Sequence, residues 1–238
     1  MDRNESWLNL PRPRCQPDML IVMIATFGLS QPIGAMLLKF IIAPYEPEGN
    51  DMKATEILTR EHTLIQQALK SLSRAQKRIE ENQQLPKDFF EKALVFLREF
   101  ADQFHHFKEE YLMFGLLALK KDGAFDGPIG SLRFQHERCR ACIDEISNSL
   151  DGYAERDEIA TTRLLENLAA YISLLRRHIY EEEHIFFKMA EEALSKEEED
   201  MLAVQFKKED QKMGAQTFYE QKRKLLEEME ALLGKGVV

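Results

Sequence analysis

From Met52 onward, apolar residues recur every three or four positions, the period of a helix with one buried face. Leu58, Ile65, Leu69, Leu72 and Ile79 share a seam with His62, which predicts a first helix over roughly 53–81. Leu85-Pro86 interrupts it, and Asp88 with Glu91 reads as a capping box for a second helix reaching about Lys121. The stretch "KDGAFDGPIG" is a loop, with Pro128 suited to the first turn of a third helix. That helix carries Leu132, His136, Cys139, Ile143, Ile146 and Leu150 and stops at Asp151-Gly152. A fourth, over about 156–194, carries Leu168, Ile172, Leu175, His178, Glu182, Ile185 and Met189. Ser195 with Glu198 caps a fifth, strongly charged helix that runs toward Leu233. Four amphipathic helices with short connections predict an all-α, up-down-up-down four-helix bundle. The extra C-terminal helix is expected to lie across the bundle or extend from it, its charges forming a solvated face.

Residues 1–51 do not follow this pattern. They hold six of the eight prolines and one apolar run, "MLIVMIATFGL", from Met19 to Leu29. A spanning helix needs about 20 mostly apolar residues. Ser30, Gln31, Pro32 and Lys39 interrupt the extension to Ala43, so membrane association through residues 19–43 is marginal. No small-residue cleavage site marks a secretory signal. The segment reads as a disordered leader, a weak anchor, or sequence upstream of a functional start at Met52. Three regions result: the leader 1–51, the bundle 52–194 and the charged helix 195–238.

Composition narrows the function. Apolar residues at 44% and charged residues at 31% are those of a globular chain. A formal charge of −9 opposes a nucleic-acid surface, whose footprint is basic. Cys15, Cys139 and Cys142 make no disulfide framework, which favours a reducing, cytoplasmic compartment. There is no His-Glu-x-x-His, no Gly-rich phosphate loop and no nucleophile elbow. A ferritin-like centre needs two Glu-x-x-His motifs, and only Glu181-x-x-His184 has that spacing.

A repeat carries the chemistry. His62 to His136 is 74 residues, while His105 to His178 and Glu109 to Glu182 are each 73. The first two helices thus repeat as the third and fourth, and a bundle brings the matched positions toward a common centre. All six residues lie on or beside apolar seams, where ionisable groups must be paired or metal-bound. Each Glu follows its His by one helical turn, so each pair projects from one face. Four imidazoles and two carboxylates suit Fe, Zn or Cu, and the carboxylates can bridge two cations. Two acids facing a dry core would repel one another, which a dinuclear site answers.

At "REH" (Arg60–His62), "FHHFKEEYLMF" (Phe104–Phe114), "GPIGSLRFQHERCR" (Gly127–Arg140) and "LLRRHIYEEEHIFF" (Leu174–Phe187) the chain resembles the hemerythrin-like, HHE cation-binding family. The resemblance covers about 52–193 and implies a four-helix bundle around two non-haem iron ions, with another divalent metal as the alternative. It implies His62, His105, Glu109, His136, His178 and Glu182 as ligands, with Glu109 and Glu182 bridging. Two departures stand out. Arg140 occupies the place of a second third-helix His in the oxygen carriers, and His178-x3-Glu182 replaces their His-x4-Asp. Fewer imidazoles leave one iron more open and weigh against reversible oxygen carriage. Arg140 is expected either outside the core or beside a carboxylate.

Neighbouring residues have plainer readings. His106 lies about 100° round an α-helix from His105 and is expected exposed or behind the ligands, as are Glu110 and Glu183. His184 reads as peripheral, and Met113, Phe114, Phe186 and Phe187 as core packing. Cys139-x-x-Cys142 is away from any helix N-terminus, so apolar filling outweighs redox chemistry there. The expected function is binding or sensing of O2, peroxide or NO. The alternatives are an enzyme decomposing peroxide or reducing NO, and iron storage or handling.

Overall fold

A computed structural model of the chain describes residues 52–120 and 123–234. The proline-rich and apolar features of the first 51 residues lie outside this range. The described residues are helical, without strands, and form the expected bundle. Helix α1 is Ala54–Glu80. Helix α2 starts as Lys87–Phe96, continues as π-helical stretches Leu97–His106 and Lys108–Met113, and ends as Phe114–Leu117. Helix α3 is Asp126–Ala154. Helix α4 begins as Glu158–Glu181, widens into a π-helical turn at Glu182–Phe186 and finishes as Phe187–Ala193. No described helix is long and apolar enough to cross a membrane.

Helix boundaries show which local signals held. Ser195 and Glu198 form the expected capping box. Asp157 caps α4 by accepting from the Ala160 amide at 2.6 Å. Asp88 and Glu91 do not form a capping box, because α2 begins two residues earlier, with Pro86 at the N-cap position. Proline supplies the right φ for a helix start, and Asp88 is left to favour the helix N-terminus by charge.

The single charged fifth helix is corrected to a hairpin. Helix α5 is Lys196–Lys212 and helix α6 is Ala215–Gly234. Between them Gly214 adopts φ 66°, a left-handed conformation that stops a helix and is cheap only for glycine. The hairpin does not extend into solvent: α6 packs on α1 and α2, and α5 on α1 and the Lys108–Met113 stretch.

Two apolar cores fill the bundle, one on each side of a polar layer. One contains Ile65, Leu69, Phe100, Phe104, Ile143, Leu168 and Leu175 and is closed by Phe218, Tyr219 and Met229 of α6. The other contains Leu58, Met113, Phe114, Leu132, Phe186 and Phe187 and is closed by Leu202 and Phe206 of α5. Truncating any one of these large side chains to alanine costs about 2–5 kcal/mol. With that much apolar material above and below, the residues in the layer between are sealed from water.

Candidate metal centre

The polar layer is made of the repeated His and Glu residues. His62, His105, Glu109, His136, His178 and Glu182 are all at most 1% exposed. Their ligand atoms form two overlapping groups, each drawn together within 4.8 Å. One group holds His62, His105, Glu109 and Glu182; the other holds His106, Glu109, His136 and His178. All six residues singled out from the sequence come together, and a seventh joins them.

That seventh residue, His106, is not exposed, which removes one of its two expected placements. It is 2% exposed, and its ring stacks on His136 with centroids 3.8 Å apart. The cause lies in the backbone. A π-helix closes i→i+5 hydrogen bonds with about 4.4 residues per turn, so successive side chains are only about 80° apart. His105 and His106 end such a stretch, and both reach the interior.

The imidazoles are oriented from behind. The Nδ1 atom of His62 lies 2.9 Å from Glu183, that of His105 2.8 Å from Glu61, and that of His136 2.6 Å from Glu110. His178 Nδ1 faces Gln135 Oε1 at 2.9 Å, and the Gln135 amide is turned that way because its nitrogen donates to Glu181 at 2.8 Å. His106 Nδ1 faces Asp102 at 3.3 Å. Every one of these partners is an acceptor, so every Nδ1 carries the proton and donates it. In the neutral ring each Nε2 is then the lone pair pointing inward, the form a metal ligand requires.

Most of those inward atoms have no hydrogen-bond partner among the described residues. Nε2 of His62, His105 and His106, and both oxygens of Glu109 and Glu182, are buried without a hydrogen bond. A buried polar group left unmatched costs about 1–3 kcal/mol, and more when charged. Nε2 of His136 and of His178 sit 3.1 Å apart. His–Glu spacings across the cluster run from 3.2 Å for His105 to Glu109 and His178 to Glu182, through 3.3 Å for His62 to Glu182 and 3.4 Å for His136 to Glu109, to 4.0 Å for His62 to Glu109. Ligands at about 2.1 Å from one cation stand about 3 Å apart when at right angles. Donor set, tautomers and spacing therefore fit cations.

Electrostatics express the same demand for positive charge. Burial alone would raise the Glu109 pKa, yet His105 and His136 hold it well below the usual range. Burial and the neighbouring Glu109 push Glu182 up, while His178 and His62 bring it down to about 2. Burial works against a charged His105, but Glu109 and Glu61 raise its pKa to about 10. His136 is likewise raised to about 9 against burial, by Glu109 and Glu110. His106 goes the other way: burial and the nearby His136 lower it to about 3, which keeps it neutral.

Arg140 approaches carboxylates, the second of its two expected placements. Its Nε donates to Asp102 and a terminal nitrogen to Glu110, both at 2.8 Å. It thereby holds the two acids that orient His106 and His136. Glu110 and Glu183 stand behind His136 and His62, one of their two expected placements. His184 is peripheral, its Nδ1 donating to the Tyr180 carbonyl at 3.0 Å. Phe114 and Phe187 lie flat against His136 and His62, with centroids 6.1 and 5.8 Å away, and keep the layer dry. Cys139 and Cys142 are buried free thiols; burial raises Cys139 to about 12, so it is apolar filling rather than a thiolate.

Periodicity did not reveal Glu61, Gln135, Asp102 and Lys108. Glu61 and Gln135 each precede a ligand His, at a spacing of 74 residues, which is the signal that would have found them.

A family model described as the hemerythrin HHE cation binding domain matches residues 53–190. Uncharacterised proteins of Mycobacterium bovis and of two Mycobacterium tuberculosis strains are each 26% identical over 142 residues. The aligned region is 60% of this chain and 55% of each relative. The chain thus spans about half the length of the curated relatives it matches. No solved structure gives a significant match.

Proposed function

This chain belongs to the hemerythrin HHE cation-binding family, and from that premise we propose that its polar layer holds two iron ions and serves to bind or sense O2, peroxide or NO. The observation that carries this reading is the convergence of bare Nε2 lone pairs and unmatched carboxylate oxygens in a sealed layer. His62 and His105 would hold one ion; His106, His136 and His178 would hold the other. Glu109 would link them, since its Oε1 lies 3.2 Å from His105 Nε2 and its Oε2 lies 3.4 Å from His136 Nε2. Glu182 Oε2, a single oxygen, lies 3.3 Å from His62 Nε2 and 3.2 Å from His178 Nε2. With four or five protein donors around each ion and two shared carboxylates, the set suits iron better than zinc, which favours closed four-coordinate sites.

When bound, a pair of irons supplies an electron-rich centre at which a small oxygen- or nitrogen-containing molecule can bind. The chain's own residues do the rest. Two imidazoles on one side against three on the other leave the His62–His105 subsite more open to an added ligand. Phe187 and Phe114 shield the layer from bulk water. Arg140, with Asp102 and Glu110, keeps the three-imidazole subsite rigid. Ligands that are all buried would release metal slowly, which favours a resident cofactor over an exchanging store. The buried free thiols support placement in the reducing cytoplasm.

The test is metal content per chain in protein purified without added metal, with an optical spectrum before and after exposure to air. About two irons, with oxo-bridge charge-transfer bands on oxidation, are expected. No bound metal after anaerobic iron reconstitution overturns the reading. Turnover of added peroxide or NO then separates an enzyme from a sensor.

A further inference from the structure

Behind His105, on the side away from the cluster, sits a second buried polar group. Glu61 is fully buried and accepts from three donors: His105 Nδ1 at 2.8 Å, Tyr219 Oη at 2.8 Å and the Lys108 ammonium. Lys108 is also fully buried, lies over the Phe104 ring at 3.8 Å and pairs in addition with Asp210. Asp210 belongs to α5 and Tyr219 to α6, both beyond the residues 53–190 that the family model matches. A chain of contacts thus runs from an inferred ligand to the C-terminal hairpin.

The matching position in the other half of the repeat has no such connection. Gln135 stands behind His178, is neutral, and has its amide nitrogen bound to Glu181. Among the described residues, this link from the hairpin runs to the subsite with two imidazoles.

An anionic acceptor on Nδ1–H makes the opposite nitrogen a stronger donor to a metal. Every further donor to that carboxylate divides its charge and weakens the effect. We propose that the C-terminal hairpin tunes the His62–His105 subsite through Glu61, with Tyr219 and the Asp210-anchored Lys108 setting how strongly Glu61 polarises His105. Glu61 is a positioning residue here, acting through His105. The inference rests on the proposed metal centre and deepens it: electron richness of the more open subsite is set from outside the family domain.

The full-length protein is loaded anaerobically with ferrous iron. Its midpoint potential is then followed by optical redox titration and its iron affinity by chelator competition. Tyr219→Phe keeps the ring against Phe100 and Phe104 but frees Glu61 to lean on His105. It lowers the potential, shifting the equilibrium toward the oxidised centre by about fivefold, the effect of one hydrogen bond. Glu61→Gln raises the potential and weakens iron binding by about 10- to 100-fold. Asp210→Asn leaves Lys108 wholly to Glu61 and moves the potential in the same direction as Glu61→Gln, by less. Opposite signs from Tyr219→Phe and Glu61→Gln distinguish tuning from a merely structural bond. Two irons bound with an unchanged potential in Tyr219→Phe overturns this inference and leaves the metal centre standing. A wild-type chain that takes up no iron overturns both.

Discussion

The α1–α2 and α3–α4 halves are two versions of one plan. Glu61 and Gln135 stand behind the histidines of the second helix in each half, and Glu110 and Glu183 behind those of the first helix in the opposite half. Phe114 and Phe187 cover matched imidazoles. The halves part at three places. His106 faces the cluster where the other half has buried Ile179. Lys108 is buried where Glu181 stands partly exposed, and Glu61 is charged where Gln135 is neutral. Two of these differences lie on the longer π-helical run of α2; in α4 the π-helical turn begins only at Glu182, after Ile179. A near-symmetric frame thus becomes an asymmetric centre, with an extra imidazole on one side and an externally connected carboxylate on the other.

The largest effect is expected where the halves share a residue. Glu109→Ala removes a carboxylate common to both groups, so metal content falls from two ions to one or none per chain by elemental analysis. Retention of two ions excludes Glu109 as a link. Next comes the substitution that makes the halves alike. His106→Ile weakens binding at the three-imidazole subsite by more than the roughly 10- to 100-fold that loss of an outer partner costs. The His62–His105 subsite keeps its ion. A stepwise metal titration showing two unaltered affinities places His106 outside the ligand set.

The smallest effect is on stability against pH. Folding holds His105 at about 10 and His136 at about 9, above the ordinary imidazole value near 6.5. Their charged forms stabilise the metal-free fold fully below about pH 6.5, and that contribution is lost as pH rises through 9–10. Metal ligation requires neutral imidazole, so the loaded protein has no such loss. The melting temperature of metal-free protein should fall by a few degrees between pH 7 and 10 while that of the loaded protein holds. Parallel curves contradict the assignment.

Much of the centre was legible because the repeat preserved spacing. His62, His105, Glu109, His136, His178 and Glu182 were identifiable from matched offsets, since ionisable residues on apolar seams need a reason to be there. The burial of His106 beside His105 is not legible because a rotation of 100° per residue holds for an α-helix, and a π-helical stretch has no signature in hydrophobic periodicity. Lys108 was overlooked for the same reason. The hairpin was read as one solvated helix because its charge count hid a narrow apolar stripe, and Gly214 was not recognised as a break.

What the chain alone determined is the four helices of the bundle, their amphipathic faces and the chemistry of the six repeated His and Glu positions. These follow from local periodicity and from the penalty on burying unpaired charge. Tertiary packing decided what periodicity does not encode: the tautomer of each imidazole, the inward turn of His106, and the link from Glu61 to Tyr219 and Asp210. Most of those depend on groups far apart in sequence, such as Glu61 and His105 or Glu61 and Tyr219, or on a helix wound to a different pitch. Only the assembled bundle brings such groups to hydrogen-bonding distance.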